Sequence, residues 1–335
     1  AKALPYLTAR FFDILLDGSK GINMKRFFCG KRVLITGANG FIGRHLVRAL
    51  DARGARLHLL DQVLIGIENK HVAYKGDMTD GCFLKSCLAS CNPHYVFHLA
   101  AFKPRSAALP DFHRAVSVNV TGTHNLLSAL AGRPSLSAVL LMGTCEEYGT
   151  NPSPYRESMR ERPLNAYSYS KLCMTKLAET LHALYRLPVV VVRHTLAYGP
   201  GQLDDMFLPS LIRALMKRTP FRMTKGEQTR DYVFIDDLIE ALLCIALSPH
   251  TAGRIINISS NKPVTMRNLA KKVEKLIGYT RRLVRFGSIP YRANEAMEYH
   301  ASHALATKLT GWKPRVSLDA GLIRTITWYQ EHDSQ

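Results

Sequence analysis

Apolar residues along this chain fall into two alternating rhythms, and the alternation predicts its fold. Short apolar runs of the kind that strands buried on both faces require lie at 33–35, 56–60, 71–74, 95–101, 136–142 and 188–193. Helical spacing occupies the stretches between them. Ile42, Leu46, Val47 and Leu50 share one stripe, a segment with three cysteines precedes Tyr95, and long helices are expected over 111–130 and 165–185. Strands alternating with helices in this way predict an α/β fold with a doubly wound parallel sheet. From Leu196 the pattern loosens, with Gly199-Pro200-Gly201 as a breaker. A helix is expected over 207–216, a strand over 232–235, a helix over 239–247 and a strand over 254–258. The chain thus divides into an N-terminal extension (1–23), a sheet domain (24–195 plus 232–258) and a smaller C-terminal substrate-binding lobe (196–231 plus 259–335). The lobe is placed over the carboxyl ends of the strands, where open α/β sheets hold their ligands.

Leu4, Leu7, Phe11 and Leu15 would give the extension a short amphipathic helix. Asp13 and Asp17 interrupt it and no small-residue cleavage site follows, so it does not read as a secretory signal; Met24 is an alternative start. No apolar run approaches the ~20 residues that span a bilayer, and a soluble protein is expected. Seven scattered cysteines point to a reducing, cytoplasmic setting rather than a disulfide frame. Cys82, Cys87 and Cys91 share one predicted helix without a histidine-rich partner, so they read as filler and no metal is expected. The formal charge of +19 allows nucleic acid, an anionic surface or a polyanionic small substrate. Its basic residues are spread out, densest at 267–275 and 281–285. A solvated basic face fits that spread better than a nucleic-acid site.

Three glycines mark the junction between the first strand and the first helix, in Thr36-Gly37-Ala38-Asn39-Gly40-Phe41-Ile42-Gly43. Gly37 permits a tight turn, Gly40 lets a diphosphate approach bare backbone, and Gly43 lets the helix pack closely on its strand. Asp61 ends the second strand. A carboxylate there can accept both ribose hydroxyls of an adenosine and would repel a 2′-phosphate, which favours NAD over NADP, although a plain loop aspartate fits the same position. Asp77 and Met78, after the third strand, are placed to reach the adenine. Tyr167 and Lys171 lie four apart on a predicted helix and so face the same way. A phenol titrates near pH ~10, and acting as a base near neutrality needs on the order of 4 kcal/mol of stabilisation. A nearby ammonium and an oxidised nicotinamide, both positive, would supply it in a dry site.

These motifs, in this order, resemble the extended short-chain dehydrogenase/reductase superfamily, in its NAD-dependent nucleotide-sugar epimerase/dehydratase branch. The resemblance runs from about Lys31 to about Trp328. It includes His98-Leu99-Ala100-Ala101, Asn119-Val120-x-Gly122-Thr123, Thr144 through Gly149, Tyr198-Gly199-Pro200-Gly201, Gln228-x-Arg230-Asp231, Arg292 and Gly311-Trp312-x-Pro314. It implies a Rossmann domain that holds NAD through Gly37, Asn39, Gly40, Phe41, Ile42, Gly43, Asp61, Asp77, Met78, Leu99, Ala100, Ala101, Lys103, Tyr167 and Lys171. Tyr167 would take the proton of the sugar 4-hydroxyl, and Thr144 would hydrogen-bond the same oxygen. Arg230 and Arg292 would bind the diphosphate of a nucleoside-diphosphate sugar, guanidinium forks being suited to phosphate oxygens. An ion pair from Arg230 to Asp236 or Asp237 is the structural alternative. Homodimerisation through the helices after strands four and five is a further implication.

The reaction is less sharply marked. Sugar 4,6-dehydratases resemble this chain in carrying Glu at the third place of the triplet that the catalytic hydroxyl opens, where an acidic pair removes the C5 proton and protonates the leaving 6-hydroxyl; UDP-pentose-forming decarboxylases share the Thr-x-Glu pattern. Here the pair is Cys145 and Glu146, and Cys145 reads equally as an acid or as buried filler. Lys103 resembles a cofactor-contacting lysine of 4-epimerases. Leu196 stands where many relatives have Asn. Glu146-Glu147 also resembles some 4-keto-6-deoxy-sugar reductases. A dehydratase is the expectation, with a 4-epimerase, a reductase and a non-catalytic Rossmann binding protein as alternatives.

Overall fold

The computed structural model describes residues 25–332, apart from 65, 67–69, 105–107, 279–282 and 293–294. The expected extension and its amphipathic helix lie outside the described residues, as do Arg281 and Arg282 of one basic stretch.

A single helical turn, α1 (Lys25–Phe28), leads into β1 (Arg32–Thr36), α2 (Phe41–Asp51), β2 (Arg56–Asp61), β3 (Val72–Lys75), α3 (Gly81–Cys91) and β4 (Tyr95–His98). Next come α4 (Leu109–Val116), a π-helical turn (Ser117–Thr121), α5 (Gly122–Leu130), β5 (Ala138–Thr144), a 3₁₀ turn (Cys145–Tyr148), α6 (Ala166–Tyr185) and β6 (Val189–His194). These strands and β11 form one seven-stranded sheet in the order β3-β2-β1-β4-β5-β6-β11, parallel throughout. β11 (Ile255–Ile258) joins it after β7 (Leu196–Tyr198), α7 (Phe207–Met216), β8 (Phe221–Met223), β9 (Thr229–Arg230), β10 (Tyr232–Phe234) and α8 (Ile235–Leu247). The chain closes with β12 (Val264–Thr265), α9 (Met266–Ile277), β13 (Val284–Phe286), α10 (Ala304–Thr310) and α11 (Leu318–His332). The short strands pair outside the main sheet, β10 with β7, β12 with β9 and β13 with β8.

Successive side chains of a strand point to opposite faces, so a strand covered on both sides must be apolar at every position. In β1, Val33 and Ile35 pack into one apolar layer with Leu46, Val47 and Leu50 of α2 and Leu238 and Leu242 of α8. Leu34 points the other way, into the layer of Leu84 and Leu88 (α3), Leu126 and Leu127 (α5) and Met174 (α6). β5 and β6 divide their side chains between the same two layers. The expected doubly wound parallel sheet is therefore present, with strand limits within two residues of expectation except at β4, which stops at His98.

Two helices differ from the sequence reading. The helix expected over 111–130 is broken by the π-helical turn, which brings the Asn119 amide inside. Its Oδ1 accepts the Phe102 N–H at 2.7 Å, and its Nδ2 donates to the Phe102 carbonyl and to Ser170 Oγ, both at 2.9 Å. Such bulges place one side chain where a regular helix cannot. α8 begins at Ile235 rather than Ile239, because Asp236 and Asp237 sit in its first turn, where the helix dipole favours carboxylates. Asp237 also accepts the backbone N–H groups of Arg315 and Val316.

His98 fastens the centre of the sheet. Its ring lies 2.7 Å from Thr36 Oγ1 and 2.9 Å from Thr123 Oγ1. Thr123 spends its own proton on the Asn119 carbonyl, so His98 Nε2 must be the donor and Nδ1 the acceptor. Burial, then the Lys171 ammonium, hold this imidazole at about 3 against an ordinary 6.5. A histidine depressed in the folded state leaves stability untouched above pH ~6.5 and lowers it as pH falls from there towards about 3. The loss attributable to His98 should reach on the order of 5 kcal/mol. Urea unfolding across this range should give a shallower acid slope for His98→Gln than for the unmodified protein; equal slopes would show that His98 titrates normally.

Candidate active site

At the end of β1 the backbone turns so tightly that side chains have no room. Gly37 adopts φ +69°, and a Cβ there would lie 2.6 Å from the Ala100 nitrogen. A Cβ on Gly43 would meet the Gly37 carbonyl oxygen at 2.2 Å. Gly40 caps α2, whose first N–H groups have no partner within the helix. Beside this turn is a cavity of about 370 Å³ lined by Gly37, Asn39, Gly40, Asp61, Asp77, Met78, Leu99, Ala100 and Ala101. Gln62, Phe102 and Arg114 line it too, and sequence reasoning missed them because Gln62 and Phe102 sit in loops without periodicity and Arg114 is a polar position of α4 outside any motif. Phe41 and Ile42 do not line it; both are partly buried against the core at the start of α2. Asp61 accepts the Asn39 N–H at 2.9 Å, which fixes its carboxylate at the cavity wall. Asp77 is held by Thr79 and Gln62.

A second cavity, about 650 Å³, is lined by Lys103, Glu146, Asn165, Tyr167 and Arg292. Asn165 caps α6 through the Ser168 N–H and so aims Tyr167 and Lys171 from the helix's first turns. Lys171 is fully buried, donates to the Met142 carbonyl at 2.8 Å, and has its ammonium 5.9 Å from the centre of the Tyr167 ring. Burial lowers it from 10.5 to about 8, with Glu147 opposing. The Tyr167 phenol is raised by burial and then by the carboxylates of Glu146 and Glu147. The chain alone therefore does not lower this phenol, and the lowering expected from sequence needs more positive charge than Lys171 brings.

Thr144 Oγ1 accepts the Glu146 N–H at 3.2 Å, opening the 3₁₀ turn. Glu146 points outward, with Oε1 3.6 Å from the Lys103 ammonium and Oε2 3.3 Å from the Asn165 amide. Lys103 lies 5.3 Å above the Tyr167 ring. Of the two readings of Cys145, acid or filler, its surroundings fit the second. Its thiol is wholly buried among Tyr148, Tyr155 and Tyr299, donates to the Arg193 carbonyl at 3.6 Å, lines none of these cavities, and is pushed well up by burial.

Glu146 also borders a third cavity of about 530 Å³, with Tyr155, Leu196, Arg230, Arg292, Glu295 and Tyr299. Leu196, Arg230, Arg292 and Glu295 in turn border a fourth of about 430 Å³, walled by Phe207, Phe221, Met223, Tyr232 and Met266. Shared walls thus string the cavities from Tyr167 to an apolar pocket. Arg230 donates to the carbonyls of Thr229 and Ala296 and pairs with Glu295. Neither alternative partner is used, since Asp236 pairs with Arg324 and Asp237 holds backbone N–H groups. Among the described residues, no group of three or more His, Cys, Asp or Glu could hold a metal.

The family profile described as NAD dependent epimerase/dehydratase family matches residues 33–259. The chain belongs to this family. Epimerase/dehydratase enzymes use NAD, and the glycine cradle, where a Cβ would strike backbone, fits that cofactor's diphosphate. The chain is similar to a dTDP-D-glucose 4,6-dehydratase of Bos taurus, 30% identical over 90% of this chain and 89% of that one. It is also similar to a probable UDP-glucuronate 4-epimerase of Rhizobium meliloti, 27% identical over 90% and 97%. The solved structure of MoeE5 in complex with UDP-glucuronic acid and NAD superposes with a TM-score of 0.82, 29% identity and coverage of 89% and 99%.

Gly43→Ala places a methyl group in the overlap with Gly37 and Ala38. Calorimetry should find NAD affinity lost and stability lower by about 2 kcal/mol. Unchanged NAD binding by this variant would remove the cradle from the cofactor site.

Proposed function

We propose that this enzyme dehydrates a nucleoside-diphosphate sugar through transient oxidation at C4. The observation that carries the reading is the position of Glu146, whose carboxylate stands in the wall shared by the Tyr167 cavity and the Arg230–Arg292 cavity. A sugar there would have its ring between Tyr167 and Glu146, its diphosphate at the arginines, and its base in the apolar pocket of Phe207 and Phe221. Asp61 would hold the adenosine ribose of the cofactor, and Lys171 its nicotinamide ribose. NAD, when bound, would take the C4 hydride and give it back at C6, and would bring the positive charge that Tyr167 lacks in the chain alone.

Tyr167 takes the proton from the 4-hydroxyl while Thr144 orients that oxygen. The resulting ketone acidifies C5; Glu146 removes the C5 proton as the C6–O bond breaks and water leaves, and gives a proton back to C5 when C6 recovers the hydride. With Cys145 turned away, the Lys103 ammonium, 3.6 Å from Glu146, would be the proton donor to the leaving hydroxyl. The burial of Cys145 also favours a second reading, a 4-epimerase, in which the ketone is reduced on its other face without elimination.

We also propose a homodimer contact on α4 and α6, where Leu109, Phe112 and Tyr169 are exposed and the rings of the last two lie 5.3 Å apart, tilted by 35°. A cytoplasmic setting fits the seven unpaired cysteines. No described helix is long and apolar enough to cross a membrane.

Purified protein with NAD and a panel of UDP-, dTDP-, GDP- and CDP-sugars should yield a product lighter by one water, read by mass spectrometry. An isomer of unchanged mass would replace the dehydratase with the epimerase. Tyr167→Phe should lower turnover by roughly 10²–10⁴-fold and Glu146→Gln by about 10²-fold. Full elimination by Glu146→Gln would end its assignment as the C5 base.

A further inference from the structure

One buried carboxylate beside this site plays no part in the chemistry above. Glu147 is completely enclosed, in a space left by Gly143, where a Cβ would lie 2.8 Å from Glu147 Oε1. Its Oε1 accepts the Thr144 N–H at 2.9 Å. Its Oε2 accepts the Thr175 hydroxyl at 2.8 Å and Arg193 Nε and Nη2 at 2.9 and 2.7 Å. Arg193, equally enclosed, lies over the Tyr148 ring and also pairs with Glu161, which pairs with Lys176. Thr175 is one helical turn beyond Lys171 on α6. A single side chain therefore joins the end of β5, the strand β6 and the helix that carries Tyr167.

We propose that Glu147 is a positioning residue for Tyr167 and Lys171: it locks α6 against Thr144 and supplies the counter-charge for the buried Lys171 ammonium. The proposal rests on the reading of Tyr167 and Lys171 as the reacting pair. Breaking a buried pair by removing one charge is costly, so the network is held as a unit. Facing Lys171 are Glu147 from the 3₁₀ turn, His98 from β4, His194 from the end of β6 and Tyr167 from its own helix. Lys103, 5.3 Å from the ring centre, and Glu146 face Tyr167 as well. Burial holds His98 at about 3 and His194 at about 4, so both are neutral through the working range and neither screens Lys171. Glu147 opposes the fall of the Lys171 ammonium and adds to the rise of the Tyr167 phenol. Without its charge both groups titrate lower.

The test compares pH–rate profiles of the full chain with NAD and dTDP-glucose or UDP-glucuronic acid, whichever it turns over, for the unmodified protein, Glu147→Gln and Glu147→Asp. A ¹⁵N NMR titration of Lys171 without sugar accompanies them. Glu147→Gln should move both limbs acidward by about one pH unit and Lys171 below about 8. Glu147→Asp keeps the charge, so its limbs should stay in place while turnover falls about tenfold, because the shorter arm misses Thr144. Limbs and a Lys171 titration unmoved in Glu147→Gln would overturn the proposal. If that variant does not fold, Thr175→Val removes only the helix end of the tie: turnover should fall several-fold with an unmoved profile, and unchanged turnover would overturn the lock. Tyr167→Phe, run alongside, separates the two readings. Full activity there defeats the reacting pair itself, whereas inactivity there with an unmoved Glu147→Gln profile defeats Glu147 alone.

Discussion

Parallel pairing across the whole sheet sends every strand-to-helix connection out at the same edge. A parallel sheet is stable only when both faces are covered, and here two apolar layers cover it. The faces are thereby closed to ligands, and the carboxyl edge is where polar groups can gather. The glycine turn after β1, Asp61 at the end of β2, the loop of Lys103 after β4 and Thr144 at the end of β5 all meet there for this reason.

Placing those loops at one edge does not fix their spacing, and buried polar side chains complete the task. His98 ties β4 to β1 and to the helix after it. Asn119 clamps the loop before Lys103 to Ser170 on α6. Glu147 and Arg193 join β5, β6 and α6 on the other side. Each hydrogen bond contributes only about 1 kcal/mol net, but leaving any of these groups unpaired would cost more. The network thus works by penalising other arrangements as well as by stabilising this one.

The fold and the cofactor cradle were legible because period and glycine spacing are local signals. Val33 to Ile35 followed by helical spacing states a strand and a helix without knowledge of anything distant. The pair Tyr167 and Lys171 was legible for the same reason, being four apart on one helix. Cys145 could not be placed from sequence: whether it faces the cavity or Arg193 depends on Tyr155 and Tyr299, which arrive from remote segments. Glu295 was equally hidden, so the Arg230 ion pair was anticipated in kind and not in partner. The π-helical turn at Asn119 was invisible because one extra residue in a helix leaves the apolar stripe almost intact.

The late return of β11 to the sheet has a mechanical consequence. Residues 195–254 leave from the end of β6 and come back beside that same strand, so this excursion is anchored at both ends to one rigid edge. It carries Arg230 and the apolar walls of Phe207 and Phe221, while Tyr167 stands on α6 and Glu146 in the turn after β5. Arg292 and Met266 reach the same pockets from the segment that follows β11, so the walls are tied to this edge on both sides of that strand. Their placement is set by β6 and β11 at the edge of the sheet, not by a single linker.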